Sequence, residues 1–315
     1  MLNQSQGDQY MSPGMLDFIQ LIKSMHEGIF VYAVRISDEP SSDQRAGWFG
    51  NVDEQLAQVA DAISGIEELQ DGFDAMGFSQ GGQFLRGYVE RYNTPPVRNL
   101  ITFGSQHMGI SDFPGCKSTD FLCRAARAAA ASGVYTPWAQ HNLVQAQYFR
   151  DHKHYAAYLQ ANCFLADINN EIPENTDDDS EPRSRNATYA ANFASLDNFV
   201  MVLFDQDKTV VPKESSWFGS YKIPTDDDNN EGGEIIHMKH QPLYKEDWIG
   251  LRKLDEESKV FPIVCEGEHM RIVEECWKPI VQRWVGQIDV KRPKARQPSR
   301  DAKVAAIPPL MIQDW

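Results

Sequence analysis

Apolar and polar positions along the chain fall into two alternating periods. Residues 15–26 (MLDFIQLIKSMH) carry apolar side chains at helical spacing, which predicts an amphipathic helix. The run GIFVYAVRI at 28–36 is rich in β-branched and aromatic residues and predicts a buried strand. Over 51–69, Val52, Leu56, Val59, Ala60, Ile63 and Ile66 recur at helical spacing and predict a second amphipathic helix. Then come a short apolar run at 73–77, a helical pattern through Tyr88, and the strand-like VRNLITF at 97–103. NFVMVLF at 198–204 and KVFPIV at 259–264 return to the strand pattern, and a last helix is predicted over 271–286. Strand and helix in alternation predict an α/β fold with a mostly parallel sheet covered on both faces.

The stretch from 111 to 196 breaks this rhythm. It reads as largely helical, with RAARAAAA and WAQHNLVQAQYF, and ends in the polar loop NTDDDSEPRSRNATY. It is expected as a helical insertion placed over the sheet, within one domain spanning 1–289. Residues 290–315 contain the basic, proline-bearing KRPKARQPSRDAK and are expected to be a disordered tail.

Composition narrows the function classes. The chain has 315 residues, 42% hydrophobic and 24% charged, the balance of a globular protein, with a net charge of −15. A body this acidic repels phosphates and argues against a nucleic-acid partner. No apolar run is long enough to span a membrane, and the polar start MLNQSQGDQYMSPG does not read as a signal peptide. The five cysteines form no CxxC pair, so zinc and thioredoxin-like chemistry are disfavoured. Cys116 and Cys123 flank CKSTDFLC, and on spacing alone a small disulfide loop and two free thiols are equally compatible.

Chemistry concentrates at Gly77-Phe78-Ser79-Gln80-Gly81. A G-x-S-x-G with a strand before it and a helix after it is the context of a nucleophile elbow, which pushes the serine Oγ outward. The backbone N–H of Gln80, at the helix start, can face a developing oxyanion. A serine needs a general base, and on such a sheet an acid and a histidine follow it in that order. Asp205 and Asp207 both lie just past the 198–204 strand, and position does not separate them. His269 lies after the last strand and before the last helix, while His107, at a strand end, could line the site. His237 and His240 have a metal-like spacing but no third ligand, so neither metal nor cofactor is expected.

AMGFSQGGQFLRGYV, PPVRNLITFGSQHMGI, LVQAQYF, FLADIN, FVMVLFDQDKTVVPKESSWFGSY and EGEHM occur in this order along the chain. In these stretches, and over about 7 to 285, the chain resembles the palmitoyl-protein thioesterase family of lysosomal type. The resemblance implies an α/β-hydrolase that cleaves long-chain acyl thioesters from S-palmitoylated proteins. An oxygen-ester lipase and a catalytically impaired acyl-binding form are the alternatives. It implies Ser79 as nucleophile, Asp207 as acid, His269 as base and the backbone of Gln80 as oxyanion donor. It further implies a Cys116–Cys123 bridge, glycosylation at Asn186 in the sequon NAT, and a lysosomal, vacuolar or secreted location. A second family bridge would join positions held here by Ala60 and Tyr92. The family begins with a signal peptide and a hydrophobic strand leading to a His-Gly loop that supplies a second oxyanion donor. Here Gln6 stands where that donor would be, and the first strand is expected to be absent.

Overall fold

The computed structural model describes residues 2–3, 9–113, 124, 127, 128, 130, 133–171, 185–224 and 233–286. Ten elements frame the site. They are β1 (Leu2–Asn3), α1 (Pro13–Met25), α2 (Val52–Ser64), β2 (Phe73–Phe78), α3 (Gln80–Arg91), β3 (Val97–Phe103), β4 (Asn198–Phe204), β5 (Val260–Cys265) and α4 (Glu274–Trp284), with a short helix Ala187–Ala194 before β4. The sheet order is β1-β2-β3-β4-β5, and every neighbouring pair is parallel.

Strand pleating sends alternate residues to opposite faces, and β4 shows it most clearly. Phe199 and Met201 enter one core with Leu56, Ile63, Leu85 and Tyr88 of α2 and α3. Val200, Val202 and Phe204 enter a second core with Met15 and Ile22 of α1 and Trp277 and Ile280 of α4. Burial on both faces is why β4 reads as an unbroken apolar run. At the sheet's far side, β5 carries Pro262, which has no N–H to offer a further strand, and Val264 is exposed there. The described part of the 111–196 stretch holds short helices, among them Pro137–Asn142, Tyr155–Ala161 and Leu165–Ile168. Tyr148, Tyr158, Phe164 and Leu165 from this stretch pack into the α2–α3 core.

Three expectations are corrected. The first strand is present as a stub: Leu2 pairs with Met76 and Asn3 with Gly77. The run 28–36 is not a strand of the sheet and carries a single isolated bridge at Ala33. Val34 of this run is buried, while Phe30 is 44% exposed. Between Ile29–Val31 and the uncovered start of β2 lies a cleft of about 490 Å³. Finally, the helix expected over 51–69 stops at Ser64, and Glu67–Leu69 forms a separate 3₁₀ turn. Residues 290–315 lie outside the described residues.

Candidate active site

β2 ends at Phe78 and α3 begins at Gln80, so the chain reverses direction on Ser79 alone. Ser79 sits at φ 50°, ψ −123°, a conformation costing a non-glycine residue about 1–3 kcal/mol. Its neighbours hold it there. Ser79 N–H donates to Phe103 O of β3 at 2.7 Å, and Gly82 N–H donates to Ser79 O at 3.1 Å. The turn is so tight that a Cβ on Gly77 would lie 2.4 Å from Gly82 Cα. A Cβ on Gly82 would lie 2.0 Å from Ser105 Oγ, so this glycine, outside the G-x-S-x-G pattern, is needed as well.

The loop after β5 brings His269 over the serine. His269 Nε2 lies 3.0 Å from Ser79 Oγ, and His269 Nδ1 lies 2.6 Å from Asp207 Oδ2. The other oxygen of Asp207 accepts from the backbone N–H groups of Thr209 (2.8 Å) and Val210 (3.0 Å). The Asp207 side chain is 1% exposed and that of His269 14%, so the pair is shielded while the imidazole edge remains reachable. Asp205, two residues earlier, does a different job. Its Oδ1 accepts from Gly267 N–H at 2.7 Å, and its backbone N–H donates to Cys265 O, tying the acid loop to the histidine loop.

A disulfide between Cys265 and Cys276 brackets this same histidine loop, a sequence separation of 11. Sequence reasoning missed it, because Cys265 closes a strand and Cys276 sits inside a helix, with no spacing motif between them. Cys116 and Cys123 lie outside the described residues, as does Gln6. Gln80 occupies the first position of α3, where a backbone N–H has no intrahelical acceptor. Its side-chain oxygen accepts from Tyr148 O–H at 3.3 Å.

His107 does not line the site. It is fully buried, stacked on Phe218 at 4.9 Å, with Nε2 3.0 Å from Thr102 Oγ1. Burial pushes its pKa well down, so it remains a neutral core imidazole. His237 precedes a 3₁₀ turn that His240 closes, and no group of three or more metal-ligating side chains occurs among the described residues. Asn186 is exposed at the start of the helix Ala187–Ala194, where its side-chain oxygen accepts from Thr188 N–H. Among the described residues no helix is long and apolar enough to cross a membrane.

A parallel sheet carrying a strained serine at a strand-to-helix turn, hydrogen-bonded through histidine to a buried aspartate, defines the α/β-hydrolase class. Residues 3–269 match the palmitoyl protein thioesterase family, and the chain belongs to it. It is 37% identical over 253 residues to palmitoyl-protein thioesterase 1 of Caenorhabditis elegans, covering 80% of this chain and 79% of that one. A palmitoyl-protein thioesterase-dolichyl pyrophosphate phosphatase fusion of Schizosaccharomyces pombe is 35% identical over 84% of this chain and 40% of its own length. The lysosomal thioesterase PPT2 of Mus musculus is 29% identical over 76% of this chain and 70% of its own.

Proposed function

We propose that this protein hydrolyses long-chain acyl thioesters, palmitoyl above all, on the cysteines of S-acylated proteins. The observation that carries this reading is the hydrogen-bonded series Ser79–His269–Asp207 in a chain of the palmitoyl-protein thioesterase family. Ser79 O–H gives its proton to His269 Nε2 as Oγ attacks the thioester carbonyl. Asp207, held by two backbone donors, keeps the His269 proton on Nδ1 and stabilises the imidazolium. The tetrahedral oxyanion forms beside the Gln80 N–H, which donates to it. Collapse breaks the C–S bond, and the departing sulfur takes the proton from His269 Nε2. A thiol of pKa about 8.5 leaves far more readily than an alcohol. Water, deprotonated by His269, then attacks the serine ester; the fatty acid departs and Ser79 recovers its proton.

The lysosomal name of the Mus musculus relative and the exposed sequon at Asn186 support a glycosylated protein of a lysosome-like lumen. A bridge between Cys116 and Cys123 would suit the same compartment.

The test compares a palmitoylated cysteine peptide with its oxygen-ester analogue, using Ser79→Ala as the control. The expected result is turnover of the thioester, preferred over the ester and abolished by Ser79→Ala. Preference for the oxygen ester would make the protein a lipase, and turnover that survives Ser79→Ala would remove the serine mechanism.

A further inference from the structure

The segment that carries the general base is tied to the sheet at one end only. Gly267 bonds to Asp205 and Gln206, but past it the backbone bonds turn inward. Arg271 N–H donates to Glu268 O, Ile272 N–H to Met270 O, and Cys276 N–H to Val273 O. Among the described residues, His269 itself makes no backbone–backbone hydrogen bond. Gly267 at φ 122° and Met270 at φ 62° turn the chain on either side of it. Positive φ at a methionine is strained and persists only where surrounding contacts hold it. The side chains of Met270, Ile272 and Val273 give partial hold, each half-buried against the second core. The segment then runs into a weakly started helix. Val273 is the N-cap of α4 and offers no side-chain hydrogen bond, and Pro279 has no N–H for the carbonyl of Glu275.

We infer that Cys265 and Cys276 are positioning residues for His269, so that hydrolysis falls when a thiol reductant opens their bridge and returns when it re-forms; the inference rests on the thioesterase reading above. Cys265 ends β5 opposite Phe204 of β4, and Cys276 lies in the first turn of α4. The bridge holds their Cα atoms 5.5 Å apart. It therefore fastens the uncapped end of the segment to the sheet, and His269 is carried between two fixed points. Without it, the imidazole keeps only its own contacts to Asp207 and Ser79, at 2.6 and 3.0 Å, and the partial packing of its neighbours. Both cysteines are buried, so a reductant reaches them when this segment opens. Dithiothreitol supplies the two electrons and two protons needed. Its thiolate attacks one sulfur to give a mixed disulfide, and its second thiol displaces that link. The products are two cysteine thiols and the cyclic oxidised reagent.

The test follows thioester hydrolysis by the wild type and by the double variant Cys265→Ala/Cys276→Ala, each before and after dithiothreitol. Trimethylamine N-oxide is present throughout to favour the folded state, which circular dichroism verifies. A displacement of the base by about 1 Å costs on the order of 10² in rate. Reduction of the wild type should therefore lower kcat by about that factor with KM little changed, and oxidised glutathione should restore it. The double variant should start at the low value and ignore the reductant. A second readout separates positioning from stability. The His269 Nδ1 proton, held in the contact with Asp207, gives a far-downfield NMR signal when the base is in place. It should vanish on reduction while the protein stays folded. Undiminished kcat and signal in the folded, reduced protein overturn the inference. So does a double variant that is as active as the wild type or that loses activity with dithiothreitol, since other cysteines would then respond. Oxidised wild type that shows the signal, loses it on reduction and yet cleaves no thioester overturns the thioesterase reading instead.

Discussion

Replacing Asp207 with asparagine tests the site at its least obvious member. The side chain keeps its shape, and its remaining carbonyl oxygen can still accept from Thr209 and Val210 N–H, so the loop keeps its two backbone bonds. The amide nitrogen then faces His269 Nδ1 across the 2.6 Å contact. An amide NH₂ can only donate there, which forces Nδ1 to become an acceptor and moves the imidazole proton to Nε2. Nε2 is the atom 3.0 Å from Ser79 Oγ, and once protonated it cannot take the serine proton. Loss of the correct tautomer in a serine–histidine–aspartate site costs about 10⁴ in rate, or about 5.4 kcal/mol. Asp205→Asn is the matched control, because an amide oxygen accepts from Gly267 N–H as a carboxylate does. Its activity should stay within about tenfold of wild type. The assay is kcat/KM on a palmitoyl thioester, with thermal melts showing that both variants fold. A folded Asp207→Asn losing less than tenfold, or a reversed order of the two variants, refutes the assignment of Asp207 as the acid.

Three further outcomes follow from the packing. Gly82→Ala puts a methyl 2.0 Å from Ser105 Oγ and 2.8 Å from Thr102 Cγ2, so it should destabilise by about 1–3 kcal/mol and displace Ser79, lowering both thermal midpoint and activity. An unchanged pair of values would show that the elbow tolerates the bulk. Cys276→Ser opens the disulfide loop around His269 and should cost about 3 kcal/mol in denaturant unfolding, with reduced wild type matching the variant. Glu90 is fully buried in α3, and burial pushes its pKa up to about 8. The folded protein therefore holds a proton that the unfolded chain releases above about pH 4.3. That contribution to stability is complete below the unfolded pKa and is lost as pH rises towards 8. Glu90→Gln should make the fall in urea midpoint between about pH 5 and pH 8 shallower, and an identical slope in both proteins would sink the idea.

What the sequence by itself determined is the part governed by near neighbours. Apolar runs at 73–77, 97–103, 198–204 and 259–264 became β2 to β5 because period and propensity act over a few residues. The elbow was legible for the same reason: Gly77, Ser79 and the following helix lie within one turn of chain. Tertiary structure decided what depends on contacts across the fold. Asp205 and Asp207 are equivalent along the chain, and only the arrival of the 265–269 loop gives one to Gly267 and the other to His269. The run 28–36 has a strand's composition, but a strand exists only where a neighbouring backbone pairs with it, and this run makes only an isolated bridge at Ala33. His107 lies at a strand end in sequence, yet packing against Phe199 and Phe218 takes it into the core. The Cys265–Cys276 bridge likewise joins a strand end to a helix interior, and no local pattern encodes their meeting.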